Sequence, residues 1–124
     1  MEFKEKKAIY VQIAESIYES ILSGEFAEGG RIPSIREMAV SVQVNPNTVM
    51  RTYNYLQDEQ IIYNHRGIGY FIAEDAKMKT KKLMKEEFIK NELPVVFKMM
   101  DILEIDVKTM SELYELYQKE KKAS

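Results

Sequence analysis

This chain has no cysteine, no tryptophan and a single histidine. The missing thiols remove disulfides, Cys-type zinc sites and thiol nucleophiles together, and one imidazole argues against a His-built metal centre. No apolar run approaches the roughly 20 residues needed to cross a bilayer. The opening Met1-Glu2-Phe3-Lys4-Glu5-Lys6-Lys7 mixes charges and has no apolar segment suited to export. A cytoplasmic protein without membrane association, metal or cofactor is therefore expected. An excess of one charge is missing as well: 18 Lys and Arg stand against 20 Asp and Glu, for a formal net charge of −2. What is present is a 45% hydrophobic, 31% charged composition over 124 residues, sufficient for one small domain with a helical appendage. The near-balance hides a local pattern, because residues 31–70 hold Arg31, Arg36, Arg51 and Arg66 against Glu37, Asp58 and Glu59. The direction of the local field matters more than the total.

From Ile9 to Leu22, apolar side chains fall at 9, 13, 17 and 21 with Tyr10, Ala14 and Tyr18 beside them, a period near 3.6 that predicts a first helix. Gly24 ends it, and Gly29-Gly30 followed by Ile32-Pro33 marks a loop. Ser34-Ile35-Arg36-Glu37 has the form S-x-x-E, in which the Ser hydroxyl caps a backbone N–H and the Glu side chain reaches back to the cap residue. A short helix over about 34–42 is predicted from it. Another start follows at once: Asn45 suits the N-cap, Pro46 suits N1 because its missing N–H would have no partner there, and Val44 and Val49 occupy the two ends of a hydrophobic staple. With Val49, Tyr53 and Leu56 on one face, Asn47, Arg51 and Asn54 lie elsewhere, so the front of this helix presents polar groups.

After Asp58-Glu59, the segments Ile61-Ile62-Tyr63, Asn64-His65-Arg66-Gly67 and Ile68-Gly69-Tyr70-Phe71-Ile72 give strand, tight turn, strand. Beyond Ala73 the chain is Lys-rich and helical over about 75–92, and Pro94 must kink or restart it. Asp106 can cap a last helix. Two helices joined by Ser41-Val42-Gln43-Val44 make a helix-turn-helix, and a hairpin directly after them makes the winged form. Such a unit lays its second helix in the major groove of DNA with its N-terminal residues at the base edges. The expected fold is mainly α with a small β-hairpin (α+β): a winged helix-turn-helix over 1–73, then a short helical dimerisation tail over 74–124.

At these residues the chain resembles the DNA-binding domain of the GntR family of bacterial transcription regulators. The likeness runs from about Tyr10 to Ala73. It is carried by Gly24, by Arg31-Ile32-Pro33-Ser34-Ile35-Arg36-Glu37-Met38-Ala39, by Val44 to Leu56 and by Arg66-Gly67-Ile68-Gly69-Tyr70-Phe71. The stretch Val44-Asn45-Pro46-Asn47-Thr48-Val49-Met50-Arg51 and the short tail are similar to the YtrA-like branch, whose members lack a large effector domain and dimerise through a few C-terminal helices. The resemblance implies that Arg36 matches the family's arginine in the P-S-x-R-E segment, and that Asn45, Asn47 and Thr48 match the polar start of the recognition helix. It also makes Gly67 the wing glycine, flanked here by His65 and Arg66. Two positions depart from the pattern: Pro46 stands where many relatives carry a base-reading Arg, and Met50 where they carry another, with Arg51 displaced by one. Operator sequences of better-known branches therefore do not transfer.

Each candidate also has a plainer role. Arg36 is a solvated helix charge or a group aimed at the DNA backbone or groove floor. Asn47 and Thr48 complete the helix cap, or else Asn pairs with adenine N6 and N7 while Thr meets a phosphate or a thymine methyl. Arg51 is a surface charge or a ligand for phosphate or guanine. His65 lacks Asp, Cys or His partners nearby, so catalysis and metal binding are set aside; with Arg66 and the Gly67 amide it is expected to meet the minor groove. Lys77, Lys79, Lys81, Lys82 and Lys85 are taken as a solvated face.

Met84, Phe88, Val96, Met99, Met100, Leu103, Met110, Leu113, Leu116 and Tyr117 form an apolar stripe in the tail, with too little else in the chain to cover it. A second copy is the economical cover, giving a two-fold homodimer on a pseudo-palindromic operator. The expected function is that of a sequence-specific DNA-binding transcriptional regulator, a repressor, with double-stranded DNA as partner. The alternative is a winged-helix protein-interaction module without DNA binding. An enzyme is not expected, for want of any recognisable catalytic constellation. The tail is too short to enclose a drug-sized effector unless the dimer interface or the crevice beside the winged helix helps, and no effector is assigned.

Overall fold

In the computed structural model, which describes residues 7–123, the first helix α1 spans Ile9–Ser23. Its periodic face puts Ile13, Ala14, Ile17, Tyr18 and Ile21 in the core, and the Gly24 N–H closes it on the Ile21 carbonyl at 3.2 Å. The predicted capping box forms in full at the start of α2 (Ile35–Val42): the Glu37 N–H donates to Ser34 Oγ at 3.1 Å, and the Ser34 N–H donates to Glu37 Oε1 at 2.9 Å. The Ser34 backbone N–H first and the Ser34 hydroxyl second hold the Glu37 carboxyl below its ordinary value. A turn through Gln43 leads to α3 (Pro46–Asp58), capped by Asn45 Oδ1, which accepts the Asn47 N–H at 2.7 Å. Val49, Thr52, Tyr53 and Leu56 of α3 are wholly buried. They pack α3 against α1 and α2, so each helix covers a stripe that water would otherwise meet.

Strands β1 (Ile62–His65) and β2 (Gly69–Ile72) form an antiparallel hairpin in the register Ile62 to Ile72 and His65 to Gly69. Ile62 and Ile72 face inward and are buried. The sequence marks residues 29–33 as loop, and the structure adds a function for them. The Gly29 N–H donates to the Ile72 carbonyl at 2.8 Å, the Ile72 N–H to the Gly30 carbonyl at 2.9 Å, and the Ile32 N–H to the Tyr70 carbonyl at 3.0 Å, with Arg31 bridging to Phe71. The free edge of β2 is thus paired, which local hydrophobic periodicity cannot reveal because the partner lies far back in the chain. These elements make a winged helix-turn-helix, mainly helical with one β-hairpin, as the sequence predicts.

Helix α4 (Ala76–Glu87) starts against this core: Ala76 and Thr80 are buried, and the Lys77 N–H donates to Glu28 Oε2 at 3.2 Å. Compactness divides the chain inside α4, with one unit ending at Leu83 and the other beginning at Met84; the composition places its boundary earlier, at 73/74. In the second unit, a π-helical turn (Phe88–Glu92) runs directly into α5 (Leu93–Leu103). Pro94 explains it, since its ring would collide with the Lys90 carbonyl in α register and it has no N–H to donate there; widening the turn relieves both problems. Asp106 accepts the Thr109 N–H at 2.8 Å and starts α6 (Val107–Ala123) as predicted. No described residue of this second unit is buried.

Candidate nucleic-acid interface

The back of α3 is anchored so firmly that its front can be left to solvent. Tyr53 donates its hydroxyl to the Pro33 carbonyl at 2.6 Å and lies edge-on to Tyr70 of β2, with centroids 4.8 Å apart. The Thr52 hydroxyl donates to the Tyr10 carbonyl at 2.9 Å, with the Thr48 carbonyl at 3.2 Å, tying α3 to α1. Burial pushes the Tyr53 phenol well above its ordinary range, helped by nearby Tyr70 and Glu37. The same rigid helix therefore carries Asn47, Thr48 and Arg51 on its opposite side, where Asn47 and Arg51 are exposed and Thr48 half-buried. Asn45 is exposed too, yet its carbonyl oxygen is taken by the cap, which leaves its amide N–H donors for any other partner.

Asn47, Thr48 and Arg51 line one shallow hollow of about 310 Å³ together with Ala8, Ile9 and Tyr10 of the α1 entry. Arg36, on the exposed side of α2, and the wing residues are not among the groups lining it. At the wing, the Ile68 N–H donates to the His65 carbonyl at 2.9 Å and closes a turn through Arg66 and Gly67. Gly67 sits at φ +79° with nothing within 4 Å of where a Cβ would be, as the inner position of such a turn requires. His65 lies against Phe71 at 6.0 Å, and Phe71 in turn stacks on Tyr63 at 5.6 Å. An aromatic strip thus covers the outer face of the hairpin behind the tip.

Arg31, which local sequence pattern does not mark as a site residue, lies against the wing. Its Nε lies 3.0 Å from where a Gly69 Cβ would stand. The signal lay in Gly69 itself, a glycine inside a strand, which often marks a close approach. Among the described residues, none of Arg31, Arg36, Arg51 and Arg66 forms a salt bridge. They are the chain's only arginines, and no lysine occurs between residues 8 and 76. Between residues 8 and 76 the cationic side chains are therefore planar guanidinium forks outside any salt bridge among the described residues, the group best matched to phosphate and to guanine. No cluster able to hold a metal occurs among the described residues.

A helix-turn-helix with a wing, and with arginines that form no salt bridge among the described residues, is the architecture of a DNA-reading regulatory domain. The model of the GntR family, bacterial regulatory proteins, matches residues 9–72, and the chain belongs to that family, one of transcription regulators rather than enzymes. It is 43% identical over 77 residues to the HTH-type transcriptional regulator YhcF of Bacillus subtilis, covering 62% of this chain and 64% of the relative. It is 44% identical over 69 residues to the HTH-type transcriptional repressor YtrA of the same organism, covering 56% of this chain and 53% of the relative. The matched segments thus span only about half to two-thirds of those curated relatives. A crystal structure of a GntR-family transcriptional regulator from Bacteroides thetaiotaomicron superposes with a TM-score of 0.79 at 46% identity, over 92% of this chain and 99% of that one. No helix among the described residues is long and apolar enough to cross a membrane.

Proposed function

We propose that this chain is a sequence-specific DNA-binding transcriptional regulator that acts as a homodimeric repressor in the cytoplasm. The observation that carries the proposal is the two-sided character of α3: Val49, Tyr53 and Leu56 are fully buried behind, while Asn47 and Arg51, which is in no salt bridge among the described residues, are exposed in front. In a major groove, Asn47 suits adenine, Thr48 a phosphate or thymine methyl, and Arg51 a phosphate or guanine. Arg36 and the wing residues Arg66 and Gly67 supply register on the backbone and the neighbouring minor groove, with His65 beside them. The name of the Bacillus subtilis relative YtrA, a transcriptional repressor, supports the direction of regulation. Occupying a promoter and excluding polymerase is the simplest way for a DNA-binding unit of this kind to repress.

The residues 74–124 serve as the dimerisation region in this proposal. Phe88, Met99, Leu103, Leu113, Leu116 and Tyr117 are each more than two-fifths exposed, and Met84, Val96, Met100 and Met110 are half-exposed along with them. A symmetry mate covering them would bring a second recognition helix, and a two-fold reader of half-sites one helical turn apart needs its two helices about 34–36 Å apart.

The test is a mobility shift on the promoter fragment of the protein's own gene. Wild-type chain should bind that fragment, with affinity falling steeply as salt rises, and Arg51→Glu should abolish the shift without loss of fold. If Arg51 meets a phosphate, Arg51→Ala weakens all sequences alike and lowers the salt slope by about one; if it reads a base, the loss is about 1–3 kcal/mol and one position of the site relaxes. A purified dimer that ignores duplex DNA of every sequence would leave the winged helix as a protein-interaction module instead.

A further inference from the structure

The group that holds Arg51 in place is not on its own helix. The ring of Tyr10, in the first turn of α1, lies under the guanidinium, with 3.9 Å from the guanidinium carbon to the ring centroid. The ring has an aromatic neighbour and its backbone is anchored. Tyr55 meets it edge-on at 6.3 Å and 76°, and the Tyr10 carbonyl accepts the hydroxyl of buried Thr52 at 2.9 Å. Thr52 follows Arg51 directly in α3, so the bond that ties the two helices holds the Tyr10 backbone next to the arginine. The stack uses the face of the guanidinium, whereas hydrogen bonds to phosphate or guanine leave from its edge, in the plane of the fork. The two interactions therefore do not compete. No carboxylate holds Arg51 among the described residues, so the aromatic ring is what orders it.

We propose that Tyr10 is a positioning residue for DNA recognition: it pre-orders the Arg51 fork at the front of α3, so that the duplex meets a side chain already in its working direction. The inference rests on Arg51 meeting DNA, as proposed above. A long, unordered arginine loses rotamer freedom when it is immobilised, and a stack already present in the free protein removes much of that loss from the binding step.

The experiment measures Kd by fluorescence anisotropy, using the full chain and a duplex selected from a randomised library by the wild-type protein. It compares Tyr10→Phe, Tyr10→Leu, Arg51→Ala and the double variant Tyr10→Leu with Arg51→Ala, each checked by thermal melting. Tyr10→Leu is expected to weaken binding about two- to tenfold, Tyr10→Phe to restore near-native affinity, and Tyr10→Leu to add nothing once Arg51 is alanine. If Arg51→Ala weakens binding and Tyr10→Leu does not, the positioning inference alone fails. Equal losses from Tyr10→Leu in both backgrounds would make Tyr10 a general support of the fold and overturn it as well. An Arg51→Ala protein that binds like wild type removes the reading on which the inference rests. The wild-type protein provides a check that needs no variant: the Arg51 side-chain protons should show an upfield ring-current shift by NMR before DNA is added, and unshifted protons would overturn the proposal.

Discussion

Tyr53 joins sequence, core and recognition surface in one side chain. The helical period predicts that it faces inward with Val49 and Leu56, and it does, without solvent exposure. Its hydroxyl, which the period does not address, finds the Pro33 carbonyl at 2.6 Å, a partner twenty residues earlier that a buried phenol needs. Because burial raises its pKa, the neutral form is the one that the fold favours. The resulting stabilisation is complete below the ordinary value of 10.0 and is lost as pH rises above it. Tyr53→Phe should cost about 1 kcal/mol at neutral pH from the lost hydrogen bond. It should also flatten the fall in stability that the wild type shows on the alkaline side of that value, measured by urea denaturation at several pH values. Arg51 shows the complementary case. Its place on the open face of α3 is legible from spacing alone, but the Tyr10 ring beneath it is not, because nothing local connects residue 10 with residue 51.

Helix starts were the most legible elements, since a cap is a local exchange of hydrogen bonds between neighbours in the chain. Ser34 with Glu37, Asn45 with Pro46 and Asp106 all form the caps that their side chains predict. The hairpin was legible by its alternation and turn residues, but its third neighbour, the segment 29–32, was not. That pairing is where Gly69 acquires its importance. With φ at +144° and Arg31 Nε 3.0 Å from the missing Cβ, Gly69→Ala meets backbone strain and a tight contact that the Arg31 side chain must yield to, whereas Gly67→Ala at φ +79° meets strain in open space. Gly67→Ala should therefore cost about 1–2 kcal/mol, and Gly69→Ala should cost more and displace Arg31 from the wing. Thermal melts of both variants, with a nitrogen-15 spectrum of the arginine side chains, check the order. Equal losses, or an unmoved Arg31 signal, would contradict it.

Among the described residues, everything buried lies in the first compact unit, and the second unit exposes its apolar side chains. A helical stretch of that kind gains little by itself from burial and is stabilised by association. Placing a charge in the stripe, as in Leu113→Glu, should shift the sedimentation of the purified protein toward the monomer at micromolar concentration. It should weaken operator binding much more than binding of a single half-site, because a two-fold reader gains its affinity from both halves together. Equal loss on both probes would mean that the substitution damages the winged helix itself. The slight negative net charge is consistent with the proposed arrangement, in which binding would depend on a few guanidiniums that form no salt bridge among the described residues and not on a basic coat.

Periodicity, caps and turn residues act over a handful of neighbours, and for that reason the amino-acid order alone determined the helices, the hairpin, the polar front of α3 and the family to which these elements belong. Contacts between distant segments obey no such local rule. The pairing of residues 29–32 with β2, the approach of Arg31 to the wing, the burial of Thr80 with the first unit and the seating of Arg51 on Tyr10 depend on which surfaces meet when the helices pack, and that is decided only by filling space in three dimensions.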